Sequence, residues 1–197
     1  MNSEIKLIST DFDGTVHSDF EHPAIPRDLE ELIATLQGQG VKWIINTGRE
    51  LGSLVETLTH SGVSVRPDYV VVVEREIYQL QESDYVGVHE WNSKCTETHA
   101  DLFTRVRPHL PQVLDWIRAR FKATVYEDLY SPFCLVAEST RDAEEIHEYL
   151  EVFCAQLGDL AVVRNDVYAR FSHKAYNKGT ALAEINPRLG VLPDHVI

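Results

Sequence analysis

Three short apolar, β-leaning runs alternate with two stretches of helical periodicity near the start of the chain. The runs are Ile5 to Thr10, "VKWIIN" (Val41 to Asn46) and "YVVVV" (Tyr69 to Val73). Between the first two, Leu29, Leu32, Ile33 and Leu36 recur at helical spacing, and Gly38 and Gly40 can stop that helix. Between the second pair, Leu51, Leu54, Val55 and Leu58 do the same, and Gly62 ends them. A β-α-β-α-β order predicts an α/β chain, with a Rossmann-like parallel sheet and helices on its faces. Sheets of that kind bind ligands at the carboxyl ends of their strands, so chemistry is sought there first.

Beyond Val73 the rhythm changes. "EIYQL" and "YVGVHEW" read as a hairpin across "QESD". A helical region follows from about Thr96 to Phe121, broken near Pro108 and Pro111. "ATVYED" and "FCLVAE" read as strands around Ser131-Pro132, and Ser139 or Thr140 can cap a helix carrying Ile146, Leu150, Phe153 and Leu157. "LAVVR" and "VYARFS" then pair across Asn165-Asp166. Residues 92–173 therefore read as an inserted α+β layer of αββαββ order. Residues 1–91 and 174–197 form the sheet core, to which "NKGTALAEI" adds a helix and "HVI" the opening of a strand.

Composition narrows the function classes. A formal charge of −13 opposes a polyanion, so no nucleic-acid partner is expected, while a local site can still hold a small anion. Cys95, Cys134 and Cys154 are odd in number and far apart, which fits buried free thiols better than disulfides or a zinc site. No signal peptide or membrane span is visible, and the chain reads as cytoplasmic.

Three motifs fall at strand ends. Asp11 and Asp13, in "DFDGT", follow the first strand; two carboxylates there suit a divalent cation, or a nucleophile beside an acid/base. Asn46-Thr47-Gly48-Arg49 follows the second, where a hydroxyl and the amides of a helix start suit a phosphate oxygen or a helix cap. Lys178-Gly179-Thr180 opens the returning helix, and its ammonium can neutralise a carboxylate and a phosphoryl oxygen together. Lys174 is the competing cation. The nine histidines show no zinc spacing, and Glu74 and Glu76 read as one face of a solvated edge strand.

In this order, "DFDGT", "NTGR" and "KGTAL" resemble the first three motifs of the haloacid dehalogenase superfamily of phosphohydrolases. The position of the insert resembles its large-cap branch, with Cof-type phosphatases, sucrose-phosphate phosphatase and phosphomannomutase. The resemblance implies a phosphatase acting on a small phosphorylated metabolite, with Asp11 as nucleophile and Asp13 as acid/base. It implies Thr47 on a phosphoryl oxygen, Lys178 stabilising charge, and Mg²⁺ on the Asp11 carboxylate and the Asp13 carbonyl. Gly48 and Arg49, and Arg170 in the cap, are the candidate substrate-binding residues. A phosphotransferase or mutase of the same fold, and a non-catalytic binding protein, are the alternatives.

Two departures accompany the resemblance. Glu74-Arg75-Glu76 stands where relatives often carry Asn-Gly. The fourth motif, which supplies a further metal acid, should follow the strand that "HVI" begins. The expectation is a shortened form of a longer protein, binding Mg²⁺ poorly.

Overall fold

The computed structural model describes residues 4–197. It divides into two units, one up to Ser93 together with Asn177–Ile197, the other Lys94–Tyr176.

The first unit is built on a five-stranded sheet, β1 (Leu7–Asp11), β2 (Lys42–Asn46), β3 (Tyr69–Val72), β4 (Glu76–Gln81) and β5 (Asp84–Gly87), in that spatial order. β1, β2 and β3 are parallel, with Asp11 opposite Asn46 and Asn46 opposite Val71, so their carboxyl ends lie level. β4 and β5 return as an antiparallel hairpin. The β5 strand stops at Gly87, and "HEW", expected in the hairpin, instead opens α3 (His89–Val106), which runs across the division between the units.

α1 (Arg27–Gly38) and α2 (Leu51–His60) join the parallel strands and bury Ile33, Leu54 and Leu58. α6 (Lys178–Leu189) packs Ala181 and Ile185 against Leu7, Ile44 and Val71. Its start is fixed by a capping box. Asn177 Oδ1 accepts from the amides of Gly179 and Thr180, and Thr180 Oγ1 accepts from the Asn177 amide. Gly190, left-handed at φ +64°, ends it. The chain then returns to β1. Val196 bridges Leu7 in parallel, the Ile197 amide donates to Leu7 O, and the Ser9 amide donates to Ile197 O. Asp194 lies just before this bridge, level with the start of β1 and away from its carboxyl end.

In the second unit α3 is followed by a 3-10 turn at Arg107–His109 and by α4 (Leu110–Arg118), the break falling at Pro108 and Pro111. β6 (Ala123–Tyr126), β7 (Cys134–Ala137), β8 (Leu160–Asn165) and β9 (Tyr168–His173) form an antiparallel sheet in the order β6-β7-β9-β8. α5 (Thr140–Gln156) starts where Ser139 Oγ accepts from the Asp142 amide. The helices cover one face of the sheet, where Leu135, Ala169 and Phe171 pack with Leu102, Ile146, Leu150 and Phe153. All three cysteines are buried and free.

Candidate active site

β1 ends at Asp11, and the chain folds at once into a closed loop. The amides of Thr15, Val16 and His17 all point at Phe12 O, and the Gly14 amide donates to His17 O. Gly14 sits at φ +76°, a conformation that a side chain would strain. Phe12 is buried, which turns the flanking Asp11 and Asp13 outward. β2 ends beside them, and the register that sets Asp11 against Asn46 brings Thr47, Gly48 and Arg49 to the same edge. α6 delivers Lys178 as its first residue, because the capping box fixes where the helix begins.

The charged groups pair closely. Lys178 Nζ donates to Asp11 Oδ1 at 2.8 Å. Arg49 grips Asp13 along one edge of its guanidinium, with Nε 3.0 and 2.9 Å from Oδ1 and Oδ2 and Nη2 2.6 Å from Oδ1. This pairing pushes the Arg49 pKa further above its ordinary value. Arg49 Nη1 also donates to Thr57 Oγ1 at 2.7 Å, so α2 braces the arginine. Lys174, the competing cation, donates to Gly158 O in the other unit. The four residues expected to carry the chemistry, Asp11, Asp13, Thr47 and Lys178, thus all belong to the first unit. Arg170 belongs to the second.

Thr47 is 1% exposed, and its Oγ1 accepts from the Arg49 amide, which leaves the hydroxyl proton to donate elsewhere. A Cβ on Gly48 would meet Glu74 Oε1 at 3.6 Å, an ordinary contact, so space does not demand glycine there.

Glu74 differs from its expected place. It lies in the tight corner between β3 and β4 instead of on an edge strand, with Oε1 3.9 Å from Lys178 Nζ. Val73 and Glu74 take left-handed backbone in succession, at φ 44° and 65°. The Val73 amide donates to Arg49 O and the Glu74 amide to Thr47 O, tying this corner to the loop after β2. The one available signal was position: residue 74 follows a third parallel strand at the edge where the other motifs lie.

Asp11 and Glu74 share Lys178, and Asp13 pairs with Arg49; carboxylates gathered at a strand end suit a divalent cation. Among the described residues no three His, Cys, Asp or Glu group as a metal site. The side chain of Asp13 is taken by Arg49, so the protein offers few oxygen donors. Mg²⁺ accepts such a site, since it keeps several waters.

No family model and no curated protein matches the sequence. Solved structures do. The sucrose-phosphatase of Synechocystis, in complex with sucrose and phosphate, is similar over 98% of this chain and 74% of its own, at 20% identity and a TM-score of 0.67. A haloacid dehalogenase-like hydrolase protein of Bacillus subtilis matches 99% of this chain and 76% of its own, at 13% identity and a TM-score of 0.60. The IMP-nucleotidase of Plasmodium falciparum matches 98% of this chain and 52% of its own, at 14% identity and a TM-score of 0.68. Identities this low speak for a common fold.

Proposed function

We propose, for a chain that has the fold of the haloacid dehalogenase-like hydrolases, that it is a Mg²⁺-dependent phosphatase acting on a small phosphorylated metabolite through an aspartyl phosphate. The observation that carries this reading is the Lys178–Asp11 ion pair at the end of β1, which joins residues 167 positions apart. Lys178 holds Oδ1 of Asp11 and leaves Oδ2 to act as the nucleophile.

In the first step Asp11 Oδ2 attacks phosphorus. The bond from phosphorus to the alcohol oxygen breaks, and that oxygen takes its proton from Asp13. In the second step water attacks phosphorus and gives its proton to Asp13. The bond between Asp11 and phosphorus breaks, and inorganic phosphate leaves. Asp13 accepts from Arg49 through both oxygens, the form suited to the second step. The first step needs a proton on one of those oxygens, so part of the Arg49 grip gives way. The Thr47 hydroxyl donates to a phosphoryl oxygen, and Lys178 offsets charge on Asp11 and the phosphoryl group. The Asp11 carboxylate and the Asp13 carbonyl would hold Mg²⁺, which supplies charge neutralisation when bound.

Release of phosphate from p-nitrophenyl phosphate and from sugar phosphates, with and without Mg²⁺, tests the reading. Turnover is expected only with the metal, lost in EDTA and restored by millimolar Mg²⁺. No hydrolysis of any phosphomonoester in Mg²⁺ would reject the reading. Sugar phosphates come first because the Synechocystis neighbour is a sucrose-phosphatase.

Glu74 tunes the same site. Its carboxylate shares Lys178 with Asp11 and repels an incoming phosphate dianion. Glu74→Gln removes about 1 kcal/mol of that repulsion. KM is therefore expected to fall about fivefold, with little change in kcat. A raised KM would instead make Glu74 a group that positions Lys178.

A further inference from the structure

The second unit begins and ends on one cluster of side chains. α3 brings Cys95 and His99, β9 brings Ser172 and His173 from its end, and Tyr176 stands in the turn beyond. His99 is 3% exposed and His173 9%. Their rings and that of Tyr176 form a triangle, with centroids 5.6 to 5.9 Å apart.

Both imidazoles accept hydrogen bonds from the backbone. The His173 amide donates to His99 Nε2 at 3.1 Å, and the Ala175 amide donates to His173 Nδ1 at 3.0 Å. A ring nitrogen that accepts carries no proton, so His99 has its proton on Nδ1, which donates to Cys95 O at 2.7 Å. The same argument puts the proton of neutral His173 on Nε2. The chain from residue 173 to 175 is thus held by two ring lone pairs. A proton on either nitrogen would set N–H against N–H and break the bond made there.

The titratable and charged groups around the pair come from three places. α3 carries Cys95, with Sγ 3.5 Å from His99 Nδ1, and Arg105. The turn before β8 carries Asp159, 3.9 Å from Arg105. The segment after β9 carries Tyr176 and Lys174, whose Nζ donates to Gly158 O. Burial lowers the His173 pKa below its ordinary 6.5, with Asp159 opposing the shift and Arg105 adding to it. The folded state therefore favours the neutral ring. That stabilisation is complete above the ordinary value and is lost as pH falls below it.

We propose that His99 and His173 form a pH-sensitive clasp, closed while both rings are neutral, which fastens the chain leaving β9 to α3 and opens locally when the rings take up protons. The clasp lies within the second unit and stands independently of the phosphatase reading. The segment it holds runs on in sequence to Asn177 and Lys178.

Hydrogen exchange of the intact protein tests it, followed amide by amide by NMR from about pH 7.5 to about pH 5 and corrected for the exchange of a free chain. Protection of the His173 and Ala175 amides is expected to fall about tenfold per pH unit below the ordinary histidine value for each proton taken up. The Phe171 amide, which donates to Phe133 O, should keep its protection. His99→Gln sets an oxygen that does not titrate near the place of Nε2 and should flatten the response of the His173 amide. His173→Asn sets one near the place of Nδ1 and should flatten that of Ala175. Protection independent of pH at either amide of the unaltered protein, an equal fall at Phe171, or a response unchanged by its variant would overturn the proposal. If His99→Gln does not fold, His173→Asn and the comparison with Phe171 in the unaltered protein decide.

Discussion

Asp11→Asn should abolish phosphatase turnover, a loss on the order of 10⁴-fold or more, as expected when a nucleophile is removed. The amide cannot form the acyl phosphate, so acid quenching should trap no covalent phosphoenzyme. The fold should survive. Asp11 and Lys178 are both well exposed, so breaking their pair leaves a solvated ammonium rather than a buried one. Full activity in Asp11→Asn would reject the aspartyl-phosphate mechanism, and an unfolded variant would make Asp11 structural.

Asp13→Asn should lose about 10²- to 10⁴-fold for an alkyl phosphate, where the leaving oxygen needs its proton most. With p-nitrophenyl phosphate the first step needs that proton far less, so a burst of nitrophenol should appear while the second step stalls. The phosphoenzyme should then accumulate, in contrast to Asp11→Asn. Equal losses for both leaving groups, with no accumulation, would remove Asp13 from proton transfer and leave it as the anchor of Arg49. The two variants together separate nucleophile from acid/base, which their proximity in sequence cannot do.

The alternation of apolar runs was enough to read the parallel β1-β2-β3 order, because strands buried on both faces and amphipathic helices leave different periodicities. The level ends of those strands follow from that order, and so does the meeting of Asp11, Thr47 and Lys178 at one edge of the first unit. Element ends were less legible. "HEW" continues a strand-like run, yet Trp91 packs with the α6 core and donates Nε1 to Arg75 O, so tertiary contacts draw it into a helix. The sequence offers Arg49 as a ligand for substrate, while its guanidinium is engaged by Asp13 and Thr57, which are 36 and 8 positions away. Strand alternation places Glu74 on an edge face, and that rule fails where Val73 turns left-handed.

The Val73–Glu74 corner behaves as a loaded spring. A β-branched residue at positive φ is held against its own preference by roughly 1–2 kcal/mol, and Glu74 adds a smaller strain of the same kind. The Arg75 amide on Val72 O closes the corner itself, and two latches fasten it to its neighbour, the Val73 amide on Arg49 O and the Glu74 amide on Thr47 O. Both latches fasten on the loop that carries the Thr47 hydroxyl and the arm of Arg49. Loosening of that loop would therefore release the corner as well, and with it the carboxylate beside Lys178. The residues that would meet a phosphoryl group are in this way tied together through the backbones of the loop after β2 and the turn after β3.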